Sequence, residues 1–311
     1  MKKSTRQAYG EHLNELFKSY PKMVVLDADL SGSTKTAVFK KEHPERHFNV
    51  GIAEANLMGV AAGLAAGGQI PWASTFAIFG TGRAFEIVRN SICYPNLNVK
   101  LALSHAGISA GEDGGSHQSV EDVSLMRSVP NMTVLVPADA TETCRMMEAA
   151  MEIDGPVYIR LGRMDLEVLF DEDYEFTVGE GVELKIGRDV TIIAMGLMVE
   201  QAMIAAEYLK GEGISAAVIN MGSIKPIDAD LIVETAAKTG AIVTAEEHSI
   251  IGGLGSAVCE VVSERFPVPV VRVGLQDTFG QSGKAQDLLE HYGMTAEAIV
   301  AAAKEAIDKK V

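Results

Sequence analysis

Short runs of β-branched and aliphatic residues alternate with amphipathic stretches of helical period along almost the whole chain. This is the sequence form of a parallel sheet covered by helices on both faces. In the first half the strand candidates are 23–26, 47–50, 70–75, 100–104, 133–136 and 157–160. In the second half they are 190–194, 216–220, 241–245 and 268–273, followed by two helices over about 285–306. Between the halves, Asp171-Glu172-Asp173-Tyr174-Glu175 interrupts the alternation, and Gly179, Gly181 and Gly187 mark turns. The pattern predicts an α/β protein of two doubly wound open-sheet domains, 1–165 and 189–311, joined by a linker at 166–188.

Composition narrows the possible partners. The 311 residues are 47% apolar and 22% charged, enough chain for about two domains with their own cores. Acidic residues outnumber basic ones 42 to 27, a formal charge of −15, and a surface that negative repels phosphate backbones and anionic lipids. No nucleic-acid or membrane partner is expected. Cys93, Cys144 and Cys259 are too widely spaced for a paired-cysteine zinc or redox motif, and their odd number argues against a secreted disulfide framework. A reducing cytoplasm fits best. The N-terminus runs into an amphipathic helix without the apolar core of a signal peptide, and no stretch reaches the ~18 unbroken apolar residues of a spanning helix.

Four segments could carry chemistry. In 49–59, continuing to Gly68, Ala55, Gly59, Gly63 and Gly67 recur every four positions and form one smooth helical stripe. Each interior glycine costs up to about 1 kcal/mol against alanine, so close packing must compensate. Either the helix is pressed on its own sheet or it meets a second subunit. Glu54 stands in its first turn, where the backbone dipole favours a carboxylate. Ser74-Thr75-Phe76-Ala77-Ile78-Phe79 ends a strand, where the active sites of open α/β sheets form, and its two aromatics are either core or a stacking platform.

The third segment runs from His105 to Gln118, with four glycines and the two histidines His105 and His117 directly after an apolar strand. Its spacing matches no metal-binding helix or zinc-finger pattern, so no metal ligand is expected here. Acid–base work or hydrogen bonding to a polyhydroxylated substrate suits it better, because an imidazole both donates and accepts near neutrality. The fourth, Ile251-Gly252-Gly253-Leu254-Gly255-Ser256-Ala257-Val258, resembles a dinucleotide-binding turn, with Asp277 downstream for a ribose contact, although Val258 stands where a third small residue belongs. Met146, Met147, Met151 and Trp72 read as core.

Together, Ala28-Asp29-Leu30-Ser31-Gly32-Ser33, Gly51-Ile52-Ala53-Glu54, Ser74-Thr75-Phe76, Gly111-Glu112-Asp113-Gly114-Gly115-Ser116-His117-Gln118, Pro130-Asn131-Met132 and Glu246-Glu247 followed by Gly252-Gly253 resemble the transketolase family of thiamine-diphosphate enzymes. The resemblance covers nearly the whole chain and implies the family's pyrimidine-binding domain followed by its C-terminal domain. It implies that Glu54 hydrogen-bonds the pyrimidine nitrogen and so promotes formation of the cofactor's ylid. Phe76 and Phe79 would hold the pyrimidine face, and Asp29 would lie near the thiazolium. Gly82 stands where the family often has tyrosine.

On the substrate side the resemblance implies Arg6, Ser33, His105 and Arg160 around a sugar phosphate, two guanidiniums suiting a dianion. Asp113 would accept a substrate hydroxyl, and His117 would bond substrate oxygen, so that Glu54, His117 and His105 form the catalytic set. The family's diphosphate-binding half, whose residues hold Mg²⁺, has no counterpart here. The resemblance therefore implies a complete C-terminal subunit of a split transketolase of the pentose phosphate pathway. It would work with a separate N-terminal subunit as a heterotetramer and self-associate across the small-residue helix. A deoxyxylulose-phosphate synthase half, a 2-oxo acid dehydrogenase β subunit, and a non-catalytic dinucleotide-binding or regulatory homodimer are the alternatives.

Overall fold

The computed structural model describes residues 2–310, and within them fourteen strands make three sheets. In chain order the strands are β1 Lys2–Ser4, β2 Met23–Asp27, β3 His47–Asn49, β4 Ile70–Ser74, β5 Lys100–Leu103, β6 Thr133–Leu135 and β7 Val157–Arg160. They continue as β8 Asp165–Glu167, β9 Val182–Lys185, β10 Val190–Ala194, β11 Ala216–Asn220, β12 Ser223–Lys225, β13 Ile242–Ser249 and β14 Val270–Leu275. The larger sheet has the order β12-β6-β7-β5-β4-β2-β3, the smaller β14-β13-β10-β11-β9, and β1 pairs with β8 as a separate ribbon. Both large sheets are parallel apart from one antiparallel edge each, β12 and β9. Strands β2, β5, β7, β10 and β11 are buried at every position, which is why they read as unbroken apolar runs rather than as alternation.

Three features differ from the sequence expectation. β13 extends four residues past 245 to Ser249, because Glu246, Glu247 and His248 are buried with partners instead of ending the strand. The 166–188 segment is not free of structure, since β8 falls at its start and β9 within it, pairing with β1 and β11. β12 was not expected; it leaves the second half of the chain to close the edge of the first sheet. One apolar core consequently runs through both sheets, joining Val134, Val136 and Met126 to Ile193, Met221, Ile224 and Leu254. That shared core fixes the two sheets against each other and places second-domain side chains under the first sheet's loops.

The carboxyl ends of β2, β4, β5 and β7 all open on one side of the larger sheet. The loops after them carry Asp29, Phe76 and Phe79, His105 to His117, and Arg163. The helix Glu54–Ala66, which follows β3, starts at the same edge.

Candidate active site

Glu54 is the first residue of its helix and is 2% exposed. Gly51, at φ +76°, turns the chain into this helix, and its N–H donates to Asn49 Oδ1 at 2.9 Å. Phe76 and Phe79 stack at 5.9 Å between centroids and 13° between planes, and His117 stands edge-on to Phe79 at 5.3 Å. A cavity of about 380 Å³ is lined by Ala28, Asp29, Glu54, Phe79, Arg83 and His117, so four of the expected site residues meet there. Arg83, at the end of the wide helical turn Ile78–Arg83, donates from Nη1 to Glu54 Oε2 at 2.8 Å, with its guanidinium 4.6 Å from the Phe79 centroid. Asp29 sits at the cavity rim in the left-handed region, φ 62°, its N–H shared between Asp27 Oδ1 and Asn49 Oδ1 at 3.1 Å each. At Gly82 an added Cβ would touch only Ile78, at 3.7 Å, so the wall is thin where a larger residue would fit.

The small-residue stripe is not the face pressed on the chain's own sheet. Ala55, Gly59, Gly63 and Gly67 face outward, and a Cβ on Gly59 or Gly63 would meet nothing within 4 Å. The face pressed on the chain's own sheet is instead Leu57, Met58, Ala61 and Ala62.

Beyond Phe76, His105 lies flat on its ring at 3.8 Å with φ +59°. Its Nε2 is 3.4 Å from Arg6 Nη1 and its Nδ1 2.9 Å from Ser104 Oγ. Arginine can only donate, so Nε2 accepts and the ring proton faces Ser104. Burial, reinforced by Arg6 and Arg163, pushes the His105 imidazole down to about 3 and keeps it neutral. Arg6 also donates from Nη1 to the Ser33 carbonyl at 2.9 Å, while its Nε is buried without a protein partner. A cavity of about 350 Å³ opens on Arg6, Arg163, Gly111, Asp165 and Lys284. Burial and then Arg163 lower the Arg6 pKa, the mark of two cations held close enough to want an anion. Asp113 sits across from them, Oδ2 3.5 Å from Arg163 Nη1.

Arg160, expected beside the phosphate, is placed elsewhere. It is 6% exposed, donates from Nε to Asp122 Oδ2 at 2.7 Å and from Nη2 to the Glu247 carbonyl at 2.8 Å, and ties the two domains together. Its guanidinium is spent on those partners because it lies within β7. Arg163, three residues past the end of β7, lines the cationic cavity with Arg6 instead. The rule that sites form beyond the carboxyl ends of strands pointed there. Lys284 was also missed, since nothing local ties it to the loop it approaches.

The second domain holds the glycine-rich loop. Glu247 Oε1 accepts the Ser109 N–H at 2.6 Å, Gln118 Nε2 donates to the Gln281 carbonyl at 2.9 Å, and Ser282 Oγ donates to the Glu112 carbonyl at 2.7 Å. Gly107 has φ +83°, and a Cβ there would fall 2.2 Å from the Glu247 carboxylate. At the turn resembling a dinucleotide site, Glu246 accepts the N–H groups of Leu254 and Gly255 at 2.7 and 2.8 Å. The chain's own carboxylate therefore fills the helix N-terminus on which a pyrophosphate would sit, and the dinucleotide alternative loses its seat.

A buried carboxylate beside the Phe79 ring and an imidazole edge suits a flat, protonatable nitrogen heterocycle, while Phe76 lies behind Phe79 under His105 and outside the cavity wall; the adjoining cationic cavity suits a phosphate. Among the described residues no group of three or more His, Cys, Asp or Glu could hold a metal ion, and no helix is long and apolar enough to cross a membrane.

Comparison with known proteins agrees with this geometry. The family model described as "Transketolase, pyrimidine binding domain" matches residues 1–168, and "Transketolase, C-terminal domain" matches 179–299. A Methanocaldococcus jannaschii protein named as a transketolase C-terminal section is 49% identical over 99% of this chain and 98% of its own. The 6-deoxy-6-sulfo-D-fructose transketolase subunit SqwH of Clostridium sp. strain MSTE9 is 45% identical over 98% of this chain and 95% of its own. A split-gene transketolase solved as an inactive β4 tetramer superposes with a TM-score of 0.93 at 59% identity, covering 99% of each chain. The chain belongs to the transketolase family and comprises its pyrimidine-binding and C-terminal domains.

Proposed function

We propose that this chain is the C-terminal subunit of a two-component transketolase, moving a two-carbon ketol unit from a ketose phosphate to an aldose phosphate. The observation that carries the proposal is the Glu54 carboxylate, buried at a helix N-terminus and facing a cavity walled by Phe79 and His117. Thiamine diphosphate, when bound, supplies a carbon nucleophile and an electron sink that no side chain offers. Glu54 would accept a hydrogen bond from the ring nitrogen of the pyrimidine, Phe79 would hold the ring's face with Phe76 stacked behind it, and Asp29 would sit toward the thiazolium.

On the substrate side, Arg6 and Arg163 would bind the sugar phosphate, with Ser33 at its edge. His105, kept neutral with its ring proton toward Ser104, would accept a hydrogen bond from a substrate hydroxyl at Nε2 without adding charge. Asp113 would accept a substrate hydroxyl, and His117, edge-on to the aromatic pair, would hydrogen-bond the oxygen at the carbon being attacked or released.

The diphosphate and its Mg²⁺ would be held by a separate N-terminal subunit, two copies of each chain forming a heterotetramer. The outward stripe of Ala55, Gly59 and Gly63 supports a close helix contact between copies. Three free cysteines, one of them buried, accord with the cytoplasm, and ketol transfer between sugar phosphates accords with the pentose phosphate pathway. The names of the split relatives support the two-chain form. The test is reconstitution: ketol transfer with thiamine diphosphate and Mg²⁺ is expected from the mixed subunits and not from this chain. Full turnover by this chain alone would contradict the proposal, and CO₂ release from pyruvate would turn it toward the 2-oxo acid alternatives.

A further inference from the structure

Arg83 lies on the two surfaces that the proposed function assigns to the pyrimidine. Its Nη1 bonds Glu54 Oε2 at 2.8 Å, and its guanidinium carbon is 4.6 Å from the centroid of Phe79. It also lines the same cavity as Glu54, Phe79 and His117. A guanidinium is flat, cationic and rich in N–H donors, as is a protonated aminopyrimidine, so one carboxylate and one aromatic face recognise both. The two cannot use the same carboxylate oxygen and ring face at once.

We infer that Arg83 is a built-in plug of the pyrimidine seat: in the free chain its guanidinium takes the place of the ring, and it must swing out before the ring enters. The inference rests on the assignment of Glu54 as the pyrimidine's partner. The plug is held lightly. The Arg83 side chain is 56% exposed while Glu54 is 2% exposed, so solvent screens the ion pair on the arginine's side. The side chain also has open solvent to move into, so release requires no rearrangement of the core. A subunit built this way stays closed to stray heterocycles until a ligand gripped elsewhere as well, by a partner's diphosphate site, outcompetes its own arginine.

The experiment titrates the free chain with 4-amino-5-hydroxymethyl-2-methylpyrimidine, the neutral pyrimidine half of thiamine, by saturation-transfer NMR. A neutral probe removes simple charge repulsion from the comparison. Arg83→Ala and Arg83→Gln are expected to bind it about tenfold more tightly than the wild type, equivalent to about 1.4 kcal/mol. Arg83→Lys, which keeps the charge but cannot lie flat on Phe79, is expected to fall between. Adding Glu54→Gln to Arg83→Ala is expected to abolish the gain. Equal or weaker binding by Arg83→Ala, with binding still lost in Glu54→Gln, would overturn the plug and leave the pyrimidine seat standing. Binding indifferent to Glu54→Gln, or no saturable signal from Arg83→Ala, would overturn the seat and the plug together.

Discussion

The Glu247 carboxylate on β13 of the second sheet accepts the Ser109 N–H in the first sheet's glycine-rich loop at 2.6 Å. That bond, together with those between Gln118 and Gln281 and between Ser282 and Glu112, crosses the domain boundary into the loop that carries His105, Asp113 and His117. The C-terminal domain thus contributes no wall to the aromatic cavity, yet it sets the height of the loop above it.

Removing Glu247 should loosen the loop. Glu247→Ala leaves the Ser109 N–H buried without an acceptor, at a cost of about 1–3 kcal/mol in denaturant unfolding. The reconstituted variant should show a raised KM for the sugar phosphate as the loop loses its fixed position. Glu247→Gln, whose amide oxygen can still accept, should recover most of both. Equal effects of the two substitutions would show that the bond does not position the loop.

Stability should depend on pH in a defined direction. Burial pushes the carboxyls of Glu142, Glu246 and Glu247 up to about 7, so their contribution is present at low pH and lost as pH rises through about 7. Burial pushes His105 down to about 3 and His248 down to about 4, so their contribution is present above about 6.5 and lost as pH falls. The two sets oppose each other below pH 6.5; above it the three carboxylates act against Lys100, whose ammonium is pushed down to about 7 by burial, so that its contribution grows as pH rises. Thermal unfolding should therefore drop by roughly a few degrees between pH 6.5 and 8, and Glu246→Gln should flatten that drop. A midpoint that rises over this interval would contradict the assignment.

The arginines separate binding from architecture. Arg163→Met and Arg6→Met should raise KM for a phosphorylated ketose by roughly tenfold or more, the loss of a charge-assisted bond of about 1.5–3 kcal/mol. Neither should much affect a short ketose without phosphate. Arg160→Met should instead destabilise the fold by about 3–5 kcal/mol, because it strands the buried Asp122. Parallel kinetics and denaturation on the three variants check this; a stable Arg160→Met with a selective loss of phosphate binding would reverse the two roles.

Much of this was legible in the chain, because local pattern and placement coincide. Phe76, His105 and the glycine loop follow apolar runs, and a residue past a strand's carboxyl end is already at the site. Glu54 was marked by its place at the start of a helix with a smooth face. What failed to read were long-range relations. Glu246 and Glu247 look like the end of a strand, and only the Leu254, Gly255 and Ser109 N–H groups that they accept keep them inside it. β12 is three residues long and draws its pairing from β6, almost ninety positions earlier. Arg160 and Arg163 are equally plausible by charge; the depth of β7 in the sheet decides between them. Arg83 carried no pattern at all, since its meaning lies in facing Glu54 across the cavity.

The central claim is that the Glu54 carboxylate engages the pyrimidine of the cofactor, and hydrogen–deuterium exchange at C2 of thiamine diphosphate tests it most directly. In the complex reconstituted with the N-terminal subunit, Glu54→Gln should fold and assemble as the wild type does, and exchange should slow by orders of magnitude. Exchange at the wild-type rate in that variant would contradict the account.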